Sequence, residues 1–513
     1  MLTRRSVLAS GAALLAAPAI LRAQALSFTR FPFSLGVAAG DPVPDGFLIW
    51  TRLAPDPLAP HGGMPTAPVG VDWEVASDDD FRGVVARGST VARPELGHSV
   101  HVEVSGLQPG RDYWYRFRCS GERSRAGRAR TLPAYAARPD RFRLGVAGCQ
   151  NYQQGFYGAY GHLARTELDA VYHYGDYIYE DGPKPLGTAS SHGGSYQVVR
   201  QHAGPAIYTL DDYRGRYAEY KLDPDLQDAH AAAAWFCTLD DHEVEDNWAG
   251  DTDKRGTPPE LFRLRREAAF QAWYEHMPVR PTCLPRGPDM RIARRVRIGD
   301  LVDTAILDTR QFRSDQPCGD DFKPACAAVF DARAQILGSD QERWLAETMR
   351  RSDARWNLVA QQVMVMALDR RTEDAPQPIL NLDSWAGYAV PRTRILDGWK
   401  GRGNVVVLTG DEHQNFCGQV MDGDAAVAVE FVGTSISSGG SGQDKRPGTD
   451  RMMANNPHLS FMNDQRGFLV CDIGRGLWRT DYMVVDQVER RDSRLSKRAS
   501  FAVERGAVKP VAA

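Results

Sequence analysis

Apolar and polar residues alternate in short runs along the N-terminal part of the chain. Gly46-Phe47-Leu48-Ile49-Trp50-Thr51-Arg52 is an apolar run with a charged end, entered through Pro44 and Asp45. Val71-Asp72-Trp73-Glu74-Val75, His98 to Val104 and Tyr113 to Arg118 alternate, and Leu107-Gln108-Pro109-Gly110 is a turn before the last of them. Short alternating runs broken by Gly and Pro predict antiparallel strands stacked as a sandwich, here over residues 31–133. Residues 134–141 read as a linker.

The pattern then changes. Phe142 to Ala147 predicts a strand ending in Gly148-Cys149-Gln150-Asn151, and Gly158 to Arg165 a helix. Leu168, Ala170, Tyr172 and Tyr174 mark a second strand, broken by Gly175-Asp176. Pro258 to His276 predicts a long helix with Leu261, Leu264, Ala268, Ala272 and Trp273 inside and Arg263, Arg265, Arg266 and Glu267 outside. Leu301 to Leu307, Trp356 to Met366, Asn404 to Thr409 and Ala425 to Val432 are further strands, and Leu337 to Met349 a further helix. Interleaved strands and helices predict an α/β domain over 142–490, followed by a tail over 491–513.

A chain of 513 residues with a net charge of −3 has room for two domains and ample cores. It has no Lys/Arg run for nucleic acid and, after the N-terminus, no long apolar run for a membrane span. Residues 1–25 read as a targeting segment: Thr3-Arg4-Arg5-Ser6-Val7-Leu8 is a twin-arginine pattern, Ser6 to Leu21 is uncharged, and Ala23-Gln24-Ala25 suits cleavage. The mature chain is expected to begin near Leu26, and the location to be periplasmic or secreted, through the twin-arginine export machinery. Of eight cysteines, Cys318 and Cys326 flank a short polar loop and are the best candidates for a disulfide.

The chemistry lies at the strand ends. A strand closing on Gly-Asp projects a carboxylate from the sheet's carboxyl edge, where open α/β sheets place ligands. Asp176 there can bridge two cations, and Tyr179 can reach the same place. A phenol, with an ordinary pKa of about 10, binds well as phenolate only to a strongly charged metal such as ferric iron. Asp240-Asp241-His242-Glu243, Asp411 with His413, and Cys149 close other strands, and Gln361-Gln362 lies within one. Each has a plainer reading: Cys149 as a small buried residue, Asp241 as a helix cap, His413 as a core histidine. All of them at strand ends of one domain favour the metal reading.

Gly175-Asp176-x-x-Tyr179, Asp241-His242-Glu243 and Gly410-Asp411-x-His413 resemble a variant of the calcineurin-like metallophosphoesterase signature. Ala147-Gly148-Cys149-Gln150, Gly175 to Glu180, Asp240 to Trp248, Leu307-Asp308-Thr309-Arg310-Gln311 and Leu408 to His413 are similar to stretches of the PhoD family of alkaline phosphatases. The stretch from Leu107 to Tyr115 resembles fibronectin type III modules. The resemblance implies an α/β metallophosphoesterase-type sandwich, sheets flanked by helices, with an N-terminal all-β fibronectin III/Ig-like domain. It implies hydrolysis of small phosphate esters by an oxo or hydroxo held between two metals. Sorted by ligand type, Cys149, Asp176, Tyr179 and His413 suit Fe³⁺. Asp176, Asp241, Gln362 and Asp411 suit Ca²⁺. Asp176 is expected to bridge, and His242 to protonate the leaving group. The family also implies a second calcium. Arg200, His202, Arg214 and Arg310 suit either phosphate contacts or ordinary ion pairs. A non-catalytic binding protein on the same scaffold would lack ligands, and a serine-type alkaline phosphatase would need an Asp-Ser-Ala nucleophile, which is absent.

Overall fold

Strands buried on both faces carry continuous apolar runs, and the Val405–Thr409 strand is buried at every residue. Its Val406 and Leu408 point into one core and Val405 and Val407 into another. That division defines the architecture of the computed structural model, which describes residues 27–513 except 192 and 193. A ten-stranded and a seven-stranded mixed sheet pack face to face. Leu144, Val146, Tyr172 and Phe236 from the first meet Leu358, Val406, Leu408 and Phe431 from the second. The helices Gly158–Ala164, Leu210–Lys221, Pro224–Ala232 and Pro259–His276 cover the outer face of the first sheet. Gly338–Arg351 and Ala389–Asp397 cover the second.

The strands Arg141–Ala147, Ala170–His173 and Ala234–Cys237 are parallel neighbours at the middle of the larger sheet. Val405–Thr409 lies between parallel partners in the smaller one. All four therefore discharge their carboxyl ends at one edge of the sandwich.

The N-terminal region has its own core, built around Val71, Val75, Val100, Tyr115 and Phe117. Its sheets are not both private, however. Val37–Val43, Gly46–Arg52 and Ser99–Val104 extend the ten-stranded sheet, joined through the parallel pairs Ala39 with Ala234 and Gly40 with Trp235. Only Val69–Ala76, Val84–Ala92, Asp112–Cys119 and two short strands form the opposing five-stranded sheet.

Three expectations need correction. The segment 491–513, read as a tail, contributes Leu495–Glu504 and Val511–Ala512 to the ten-stranded sheet. The strand expected over Trp356 to Met366 ends at Ala360, so Gln361 and Gln362 stand beyond its end. The long helix buries Ala272 and Trp273 as expected, but its first half is turned from the expected face. Leu261 and Leu264 are exposed, while Arg265 and Arg266 are buried with Phe262, Ala269 and Phe270. The physical reason is polar satisfaction. Arg265 pairs with the buried Glu245, and Arg266 donates to the Gly250 carbonyl at 2.6 Å. The helix thus anchors the loop that follows Asp241. Cys318 and Cys326 are paired as a disulfide, and the targeting segment 1–25 lies outside the described residues.

Candidate metal centre

Three of the four strands leave the sandwich through a turn of unusual backbone. Cys149, Asp176, Asp411 and His413 all have positive φ, between 53° and 65°. Non-glycine residues rarely adopt this region unless their surroundings fix them. Two packing devices do so. Gly175, with φ 122°, lies against Asp240 so closely that a Cβ would collide with its backbone. The Tyr174 ring is wedged against Gly148 and Gly410, where a Cβ on either glycine would enter the ring. Gly410→Ala is therefore expected to displace Asp411 and cut turnover by about 10²-fold, the cost of misplacing a reacting group by about 1 Å. Steady-state kinetics checks it, beside a melting curve that should also fall, since the added Cβ overpacks the Tyr174 ring.

Backbone bonds lock the turns together. Cys149 N–H donates to the Gly175 carbonyl and Gln150 N–H to that of Asp176, each at 3.0 Å. The buried Glu243 carboxylate accepts from the N–H groups of Asp176 (3.1 Å), Tyr177 (2.6 Å) and Asp240 (2.8 Å). It clips two turns into one unit.

The side chains so positioned form two groups linked by a third. Donor atoms of Cys149, Asp176 and His413 lie within 4.8 Å of one another, as do those of Asp240, Asp241 and Asp411. Asp176 also groups with Asp241 and His242 and so stands between the two. The Tyr179 hydroxyl donates to Asp176 Oδ2 at 3.0 Å and lies 3.2 Å from His413 Nε2. Ser438 Oγ stands 2.7 Å from both the Tyr179 hydroxyl and the Cys149 carbonyl. Sequence reasoning includes Asp240 and Glu243 in the polar run but gives them no role of their own, and it passes over Ser438. Asp240 and Glu243 flank Asp241 and His242 in a run of four polar residues after an apolar strand, and that was the available signal.

The electrostatics call for cations. Burial, then the nearby Asp241, holds the Asp176 carboxyl far above the carboxylate range, and burial with Asp240 does the same to Asp411. Burial and the same carboxylates push the Cys149 thiol up. Enclosure, with the Arg466 charge, lowers His413 to about 3, leaving a neutral imidazole. Asp176 Oδ1 and Asp241 Oδ1 are buried without a hydrogen-bond partner. Orphaned carboxylate oxygens aimed at a soft and a hard donor set fit a pair of metal ions.

Gln362 does not share that freedom. Its Oε1 accepts from Thr309 Oγ1 at 2.6 Å, and its Nε2 donates to Thr238 Oγ1 (2.6 Å) and the Leu307 carbonyl (3.0 Å). Asp240 stands with Asp241 and Asp411. The ion-pair reading holds for the basic residues. Arg200 binds Asp223 at 2.7 Å, Arg214 binds Glu275, and Arg310 is fully buried among carboxylates. His202 bonds the Asp181 carbonyl and the Tyr220 hydroxyl.

Two facing mixed sheets flanked by helices, with donors at one edge, form a metallophosphoesterase-type architecture. A purple acid phosphatase from yellow lupin seeds shares it, with a TM-score of 0.56 at 11% identity, over 91% of this chain and 74% of that one. Residues 144–482 match the PhoD-like phosphatase family, and residues 18–133 its N-terminal domain. Alkaline phosphatase D of Bacillus subtilis (strain 168) is 44% identical over 486 residues, 93% of this chain and 82% of that protein. The solved structure of PhoD superposes with a TM-score of 0.91 over 95% of this chain and 93% of its own. The chain belongs to the PhoD-like phosphatase family and is a phosphoric ester hydrolase that binds metal.

Proposed function

We propose that this chain is an exported alkaline phosphatase of the D type, carrying Fe³⁺ and Ca²⁺ at the edge of its sandwich. The observation that carries the reading is the pair of orphaned oxygens, Asp176 Oδ1 and Asp241 Oδ1, amid carboxylates that repel one another. Cys149, Asp176, Tyr179 and His413 would hold the iron. Asp176, Asp241 and Asp411 would hold the calcium, with Asp240, a carboxylate grouped with two of them, preferred to the neutral amide of Gln362. The twin-arginine segment supports export, and the Cys318–Cys326 disulfide suits an oxidising compartment. We read residues 31–133 as a fibronectin III/Ig-like module that shares one sheet with the catalytic domain.

When bound, the metals supply positive charge for the phosphoryl oxygens and activate water for attack. The protein supplies placement and a proton. His242 Nδ1 lies 2.7 Å from Glu180 Oε2, which leaves Nε2 facing the centre, 3.9 Å from Asp241 Oδ2. Glu180 is itself fixed by the Asp246 N–H at 2.8 Å. Burial would lower the imidazole, but Glu180, Asp241 and Asp176 outweigh it and hold His242 well above the ordinary histidine range. A charged imidazole aimed this way donates its Nε2 proton to the departing alkoxide. His242→Ala is expected to slow esters with poor leaving groups by about 10²–10⁴ and activated aryl esters far less, with metal content unchanged. A uniform loss across leaving groups, or loss of metal, would refute the assignment.

The reading is tested by metal analysis and a visible spectrum of protein exported by its own signal. Iron with calcium, and a broad phenolate-to-iron band that vanishes in Tyr179→Phe, is the expected result. Zinc alone, or a colourless protein, rejects the ligand assignment.

A further inference from the structure

Leu307-Asp308-Thr309-Arg310-Gln311 touches neither donor group through a coordinating atom of its own, yet every side chain from 308 to 311 is spent on holding one geometry. Asp308 Oδ1 accepts from the N–H groups of Arg310 (3.0 Å) and Gln311 (3.1 Å), which fixes the turn. Thr309 ties it to Gln362, and Gln311 Nε2 to the Met290 carbonyl at 2.8 Å. The product is a single aimed guanidinium. Arg310 has no exposed surface. Its Nε donates to Asp240 Oδ1 at 2.6 Å, and its Nη1 and Nη2 form a fork onto both oxygens of Asp383, each at 2.8 Å. Nη2 also lies 3.5 Å from Asp241 Oδ1, one of the two orphaned oxygens.

Asp383 is in turn a hub. It accepts from Arg313 at 2.6 Å and from Gln316 at 2.7 Å, and Gln316 also donates to the Asn247 carbonyl at 2.8 Å. Asn247 N–H donates to Asp241 Oδ2 at 2.8 Å. Asp240 and Asp241 are therefore gripped from two directions by one network, in which Arg310 alone of the two arginines on Asp383 also reaches Asp240. A buried ion cluster of this kind carries a high desolvation cost, repaid only by close geometry. Lys cannot replace the planar fork, because its single ammonium reaches one partner at a time.

We propose that Arg310 is a positioning residue for the Asp240–Asp241–Asp411 half of the centre. It orients Asp240 and Asp241 for a divalent cation through its fork onto Asp383, and it does not serve the Cys149–Tyr179–His413 half. This rests on the proposed metal reading. Partners that orient metal ligands are worth about 10- to 100-fold in metal affinity when removed, and that is the effect expected here.

The test uses the full exported chain, titrated with calcium after partial chelation, with the visible band followed in parallel. Arg310→Lys should weaken calcium binding by about 10- to 100-fold and lower kcat more than it raises KM, while the visible band stays intact. Asp383→Asn, which leaves the arginine but loosens its fork, should shift calcium in the same direction by less, and it serves if Arg310→Lys does not fold. Calcium binding within twofold of wild type in a folded variant would overturn the inference. So would equal loss of the visible band, which marks general collapse. If the wild-type chain itself binds no calcium, the metal reading fails rather than the role of Arg310.

Discussion

Asp176→Asn is expected to abolish phosphate release, by on the order of 10³ or more, because it removes the carboxylate that links the Cys149 and His413 donors to Asp241 and His242. Its effect on stability should change sign with metal. In chelator, burial and the nearby Asp241 hold the Asp176 carboxyl far above its ordinary range, so its ionised form is costly to the folded chain. A carboxyl raised in the fold contributes stability below its unfolded pKa and loses it as pH rises toward the folded value. Chelated wild-type protein should therefore weaken as pH rises above the usual carboxylate range, and chelated Asp176→Asn should weaken less and melt higher. With metal restored the order reverses, since only the wild type gains the binding energy of the filled site. Melting curves of both proteins at pH 5 and 8, with and without chelator, give four comparisons. An Asn variant that melts lower in chelator at pH 8 would mean that Asp176 serves its hydrogen bond from Tyr179 more than a cation.

The parts of this centre legible in the sequence share a cause. A strand buried on both faces must be apolar throughout, so a Gly-Asp at its end is conspicuous, and Asp176, Asp241 and Asp411 announce themselves. What was hidden depends on partners distant in the chain. Gln362 looked free because nothing local reveals Thr238 and Thr309 on either side of its amide. Nothing local to Glu243 shows that its oxygens serve three backbone N–H groups from two turns. The helix Pro259–His276 was read on its leucines. Its inward face is set by two arginines, whose burial makes sense only once Glu245 and the Gly250 carbonyl are in place. Hydrophobic periodicity finds faces that bury carbon and misses faces that bury paired charge. Sheet membership was similarly out of reach. The pairing of Ala39 with Ala234 joins residues almost two hundred positions apart, and nothing in either run records it.

Lys221→Met is expected to stabilise the protein by several kcal/mol at pH 7 and by progressively less as pH rises. Lys221 closes the helix Leu210–Lys221, where a cation near the carbonyl end is normally exposed and favourable. Here the Gly46–Arg52 strand covers it. The ammonium is buried, has no hydrogen-bond partner, and faces the rings of Trp50 at 4.3 Å and Tyr177 at 5.1 Å. Burial lowers it from 10.5 to about 7, and Cys237 opposes this only weakly. Between those values the unfolded chain holds a proton that the folded chain does not, so stability rises with pH across the window. Below pH 7 both states are charged and the penalty is constant. At 1.36 kcal/mol per unit, the full shift corresponds to about 5 kcal/mol, reduced by whatever the rings return as cation–π attraction. Methionine keeps the length of the chain and removes the charge. Denaturant midpoints at pH 7, 8.5 and 10 should show a gap between variant and wild type that narrows toward alkaline pH at an unchanged slope. A gap independent of pH would mean that the amine keeps its ordinary pKa in the fold and stays charged there. A destabilised variant would mean that the rings hold the cation more firmly than burial opposes it. The expected narrowing would tie the pH dependence of stability to a lysine roofed by the N-terminal strands, and so give the sheet that joins the two regions a measurable energetic role.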